Sequence, residues 1–97
     1  MNLAKVIGTV VSTQKTEKIR GLKLLIVEPI DVETMEPTGK PVVAVDAVGA
    51  GEGEVVLYVA GSSARLTERT DKLPVDATVM AIVDYVELEG KRTFAKS

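Results

Sequence analysis

Neither cysteine nor histidine occurs anywhere in the chain. The first absence excludes disulfides, thiolate nucleophiles and cysteine-bound zinc. The second removes the commonest general base near neutral pH and the other usual zinc ligand. Tryptophan is absent as well, and Tyr58, Tyr85 and Phe94 are the only aromatic residues. A core must therefore be assembled from Val, Leu, Ile and Ala. No apolar run approaches the roughly 20 residues of a membrane-spanning helix. The opening LAKVIGTVV is too short for a signal-peptide core and carries Lys5 inside it, so the expectation is a soluble cytoplasmic protein. Neither sign of charge dominates: 12 basic against 14 acidic side chains leave a net charge of −2. The total charge thus provides no electrostatic reason to bind nucleic acid.

What is present reads as β structure. The 97 residues, 45% of them hydrophobic, suffice for one domain spanning residues 1–97. Valine enrichment favours strands, because a branched Cβ suits a pleated surface. Residues 3–13 (LAKVIGTVVST) form the first expected strand, with Gly8 marking a bend, bulge or close backbone approach. Residues 14–21 are a polar loop. Residues 22–28 (LKLLIVE) form a second strand, stopped by Pro29. Residues 31–41 make a hairpin loop with a Thr38-Gly39 turn signal. Strands follow at 42–48 (VVAVDAV) and 54–60 (EVVLYVA). GSSARLTER, residues 61–69, offers serine N-caps and helix formers, and so predicts one short helix. A last long strand covers 79–90, with a short terminal strand at KRTFAK, residues 91–96. The pattern predicts an all-β fold, a small, partly open OB-like barrel with one short helix.

The strands are apolar on both faces. In 55–60, Val55, Leu57 and Val59 line one face and Val56, Tyr58 and Ala60 the other. In 79–86, Asp84 is the one polar residue. One face fills a barrel. The chain is too small to cover the second, and a soluble monomer rarely tolerates a large contiguous apolar patch. The residues therefore predict an obligate oligomer, with a two-layer monomer carrying ordinary exposed valines as the alternative. Charge is segregated along the chain too. Lys5, Lys15, Lys18, Arg20 and Lys23 lie early, whereas Glu28, Asp31, Glu33, Glu36, Asp46, Glu52 and Glu54 lie in the middle. The two segments are either solvated surfaces or complementary edges of neighbouring copies.

The glycine-rich stretch GAGEGE, residues 49–54, is the strongest local signal. It is not a phosphate loop: the spacing differs from G-x-G-x-x-G, no helix follows, and Glu52 and Glu54 would repel a phosphate. Alternating glycines suit positive φ and crowded backbones, as around a symmetry axis. Glu54 is placed to accept hydrogen bonds from backbone N–H groups of so tight a loop. Arg65 reads either as an ion-pair partner of Glu52 or Glu54, within or between protomers, or as a solvated helix arginine.

GAGEGE, the following EVVLYVAGSSAR (54–65) and the later PVDATVMAIVDYVEL (74–88) resemble the CcmL/EutN family of bacterial microcompartment shell vertex proteins. LAKVIGTVVSTQK and GLKLLIVEP resemble that family's first two strands; the hairpin at 31–40 does not match closely. The resemblance implies an OB-like barrel assembling as a cyclic homopentamer. It also implies pentamers at the vertices of a polyhedral shell tiled by hexameric shell proteins, within the cytoplasm. It puts Gly49, Ala50, Gly51, Gly53 and Glu54 at the protomer interface. Neither catalysis nor a cofactor is implied, nor a membrane or nucleic-acid partner. Two other classes remain. An OB-type single-stranded nucleic-acid binder would need a basic groove and stacking aromatics. An enzyme would use Asp46, Glu54, Asp84 or Glu87, which no motif links.

Overall fold

The structure, a computed structural model, describes residues 1–11, 21–61 and 76–96. Residues 62–69 of the expected helix, with Arg65, and residues 14–20 of the expected loop lie outside the described residues. The described residues form seven strands: β1 (Asn2–Val10), β2 (Leu24–Pro29), β3 (Val42–Asp46), β4 (Val55–Ala60), β5 (Ala77–Ile82), β6 (Tyr85–Leu88) and β7 (Lys91–Ala95). The first five close into a barrel in the order β1-β2-β3-β5-β4. All pairings in it are antiparallel except β3 with β5. The barrel is closed rather than partly open, because β1 is long enough to pair with β2 on one side and with β4 on the other.

Alternation along the strands builds the interior. Ala4 and Val6 of β1, Leu25 and Val27 of β2, Ala44 of β3, Val56 and Tyr58 of β4, and Ala77 and Val79 of β5 form one buried cluster. Each buried Val or Leu contributes about 1.5–3 kcal/mol relative to its exposed state. Of the bend, bulge or close approach that Gly8 marks in the sequence, the structure has a bulge: the β1–β2 register slips between Val6 and Gly8. Ile7 is the extra residue. Beyond it the inward face changes parity, so Gly8, opposite Ile26, faces outward.

Several element boundaries differ from expectation: the first strand ends at Val10 and the second begins at Leu24. The third strand ends at Asp46 instead of residue 48, because the Asp46 carboxylate captures the next backbone amides. The turn of the β2–β3 hairpin is made by Asp31 rather than by Thr38-Gly39. Asp31 Oδ1 accepts the N–H groups of Glu33 and Thr34 at 2.7 and 3.0 Å, and Met35 adopts φ +62° as its N–H returns to the Asp31 carbonyl. The long strand at 79–90 is two strands in two sheets. The Val83 N–H still reaches the Val55 carbonyl of the barrel at 2.8 Å. Beyond Asp84 the chain leaves the wall, and β6 pairs with β7, around a Glu89-Gly90 turn with φ +50° and +80°. Two left-handed residues are what a tight hairpin of this twist requires.

This hairpin also corrects the expectation that the chain cannot cover its own outer faces. Leu3, Ile30 and Val55, on the outside of the barrel, are buried in a second cluster with Met35, Leu57, Val83, Val86 and Phe94 packed against it. The Thr93 hydroxyl donates to the Val32 carbonyl at 2.9 Å and ties the hairpin to the β2–β3 turn.

Candidate functional site: the glycine loop

Residues 47–54 join β3 to β4, and three side chains brace them from below. Asp46 does so first. Its Oδ1 accepts the N–H groups of Val48 and Gly49 at 3.0 and 2.9 Å, the short-range capture by which an aspartate starts a turn. Its side chain is 1% exposed, and its Oδ2 faces the Lys23 ammonium at 3.4 Å. Lys23 is the second brace: its Nζ donates to the Ala50 carbonyl at 2.8 Å, while its own carbonyl accepts the Asp46 N–H at 2.9 Å. The Lys23–Asp46 pair lies within one chain, so these two members of the segregated charge do not require a neighbouring copy.

Glu54 is the third brace. Its Oε1 accepts the Gly51 N–H at 2.8 Å, the role the sequence predicts for it. Its Oε2 accepts from Lys96 Nζ at 2.8 Å, and the Lys96 backbone N–H donates to the Asp84 carbonyl at 2.7 Å. The Lys96 ammonium, followed by the Gly51 N–H, holds the Glu54 carboxyl below the usual glutamate range. The same hydrogen bond, donated to the Glu54 carboxylate, raises Lys96. Between loop and tail is a cleft lined by Glu52, Gly53, Glu54, Val55, Phe94, Ala95 and Lys96.

Two glycines are required by the backbone itself: Gly49 and Gly53 have φ of +82° and +87°, a region costly for any residue with a Cβ. The Gly53 N–H donates to the Val6 carbonyl, and the Val6 N–H to the Glu54 carbonyl, each at 2.9 Å. The loop is thereby sewn to the first strand. Ala50 is 0% exposed and belongs to the core cluster; its side chain plugs the barrel end. Gly51, Glu52 and Gly53 remain at the surface.

The four carboxylates considered for catalysis do not converge on a reaction centre. Asp46 and Glu54 are committed to the loop. Asp84 contributes a carbonyl at the start of the hairpin, and Glu87 sits in register opposite Arg92 on β7. No cluster of three or more metal-ligating side chains is present among the described residues. Sequence reasoning missed Lys23 and Lys96. Lys23 lies 27 residues from the loop atom it binds, and Lys96 lies 42 residues from Glu54, so no local motif could announce either.

The family described as "Ethanolamine utilisation protein EutN/carboxysome" matches residues 1–84. The bacterial microcompartment shell vertex protein GrpN of Rhodospirillum rubrum is 52% identical over 87 residues, covering 90% of this chain and 97% of that protein. The shell vertex protein EutN of Salmonella typhimurium is 47% identical over 96 residues, covering 99% and 96%. Among solved structures, CcmL of Gloeobacter violaceus aligns with a TM-score of 0.92 at 42% identity, over 99% of this chain and 98% of its own. The structure described as the GrpN pentameric microcompartment shell protein from Rhodospirillum rubrum aligns with a TM-score of 0.77 at 50% identity, over 91% and 98%. With a barrel and a braced glycine loop of the expected kind, and with these relatives matched along nearly the whole chain, the protein belongs to the EutN/CcmL family.

Proposed function

We propose that this protein is a structural subunit of a bacterial microcompartment shell, and that five copies close into a ring that caps a vertex. The whole chain, 1–97, acts as one vertex domain. Gly49, Ala50, Gly51, Gly53 and Glu54 form the protomer interface, and Glu52 and Arg65 are proposed as further contacts across it. Within it Ala50 acts from the inside, by anchoring the loop. The observation that carries this reading is the loop itself: Asp46, Lys23, Glu54 and Lys96 hold it rigid, and Gly51 and Gly53, on either side of Glu52, leave room for another backbone to approach. A rigid, low-profile loop loses little conformational entropy when a partner packs on it.

The mechanism is geometric. A flat layer of hexameric shell proteins cannot close on itself. A five-fold unit in place of a hexamer introduces curvature, and such units finish the corners. The ring closes through heterologous contacts, in which one side of a protomer meets a different side of the next. Subunit shape and edge complementarity do the work, and no reacting group is needed.

The nucleic-acid reading loses its stacking platform among the described residues. Tyr58 is 6% exposed and lies in the barrel core, and Phe94 packs in the second cluster. Tyr85 is exposed but already carries the Arg92 guanidinium 4.3 Å from its ring centroid. Native mass spectrometry of the intact protein tests the ring: a pentamer is the expected species, and a monomer persisting at all concentrations would remove the vertex reading.

A further inference from the structure

The outer wall of the barrel is covered unevenly, and on the outer face of β3 Val45 is buried whereas Val43 is not. The part formed by β4 and the start of β1 is covered by the chain's own hairpin. The part formed by β2, β3 and the end of β1 holds a cross-strand row: Gly8 faces Ile26, and Ile26 faces Val43. Val43 is 51% exposed, and Ile7, extruded by the bulge next to Gly8, is 43% exposed.

We infer that the Gly8–Ile26–Val43 row, with Ile7 beside it, is the seat on which a second copy of this chain docks. The inference rests on the ring reading and says where the ring makes its apolar contact. Three observations support a second copy as the occupant. First, the row is continuous with the proposed interface loop: Glu52 Oε1 lies 3.9 Å from the point a Cβ on Gly8 would occupy, and Ile26 Cδ1 lies 3.5 Å from that same point. Gly8 thus forms the floor of a shallow socket walled by Ile26, with the glycine loop at its rim. Second, the barrel is closed, so a copy docking on its wall cannot extend the barrel sheet and meets this row through side chains. Third, the next outward row along β1 and β2 is Lys5 opposite Glu28. An apolar centre bordered by charge is the anatomy of a permanent subunit contact.

The test uses the intact protein and two variants. Val43→Asp places a charge on a half-exposed position, which an isolated barrel tolerates. Circular dichroism should stay β-type, while native mass spectrometry shows the dissociation concentration raised at least about 100-fold, the loss expected from a desolvated, unpaired charge at an interface centre. Because the chain has no cysteine, Val43→Cys introduces a single thiol. Its maleimide labelling in the assembled protein should be at least about tenfold slower than in the same variant unfolded in urea. A wild-type pentamer whose Val43→Asp form assembles equally well overturns the docking inference and leaves the ring standing. A wild-type monomer overturns both. Labelling at the unfolded rate overturns the inference, as does protection that appears only when a hexameric shell protein is added. A disulfide readily joining two Val43→Cys chains would indicate a two-fold contact and would also overturn it.

Discussion

Gly53 and Gly51 sit two residues apart in the same loop and are subject to different constraints. Gly53 holds φ +87°, whereas Gly51 is not in the left-handed region, and a Cβ on it would meet only Glu54 Oε1 at 3.6 Å. Gly53→Ala should therefore lose about 1–2 kcal/mol, or roughly 4–8 °C per kcal/mol in a domain of this size. Gly51→Ala should change the melting temperature much less. Thermal melts of both variants at one protein concentration check the contrast. Glu54 sets a pH dependence. Its folded pKa is depressed by Lys96 and the Gly51 N–H, so its contribution is complete above the ordinary glutamate value of 4.5 and is lost as pH falls through the lower folded value. Lys96 is raised, so its share is complete below the ordinary lysine value of 10.5 and is lost as pH rises through the higher folded value. Urea midpoints of wild type and Glu54→Gln should differ at neutral pH and converge in acid. A gap unchanged in strong acid would remove the ion pair as its source.

At the scale of elements, the β6–β7 hairpin is an outrigger that belongs to a different sheet from the barrel yet covers part of it. Val86 and Phe94 face each other across the hairpin and pack with Leu57 and Val83 against buried Leu3, Ile30 and Val55. Phe94→Ala should cost about 2–3 kcal/mol, below the range for fully buried phenylalanines because Phe94 is only partly enclosed. It should also increase binding of a hydrophobic dye, as the outer face of β4 is uncovered. A denaturation curve with dye fluorescence reads both effects; an unchanged midpoint would mean that the barrel wall is stable without its cover. The hairpin was legible only in part. The Glu89-Gly90 turn and the terminal strand follow from the residues, but the break at Val83–Asp84 does not. A run that alternates and is apolar on both faces looks the same whether it has one set of neighbours or two.

For the whole molecule, association and stability are expected to be coupled. A ring binds the folded chain and not the unfolded one, so the melting temperature should rise with protein concentration. A melting temperature independent of concentration across the range where native mass spectrometry finds pentamers would show that the barrel unfolds within an intact ring. In cells, deletion of this chain without a substituting paralogue should leave shells elongated, open or leaky, visible by electron microscopy. Closed polyhedra would contradict the vertex role.

The sequence by itself determined the strand material, an irregularity of the first strand at Gly8, the need for glycine in the β3–β4 loop and the carboxylate of Glu54 as an acceptor for it. These are short-range matters: side-chain alternation, missing Cβ atoms and hydrogen bonds spanning three residues. It also determined that apolar surface exceeds what one barrel interior holds. Only the tertiary structure decided which part of that excess the chain covers itself. Val55 and Leu57 read like Val43 in the sequence, yet the first two lie under the hairpin and Val43 lies in the open. Likewise only the fold brought Lys23 to Asp46 and Lys96 to Glu54. Barrel closure joins strands far apart in the chain, and the positions it brings together depend on register, which no local run of residues encodes.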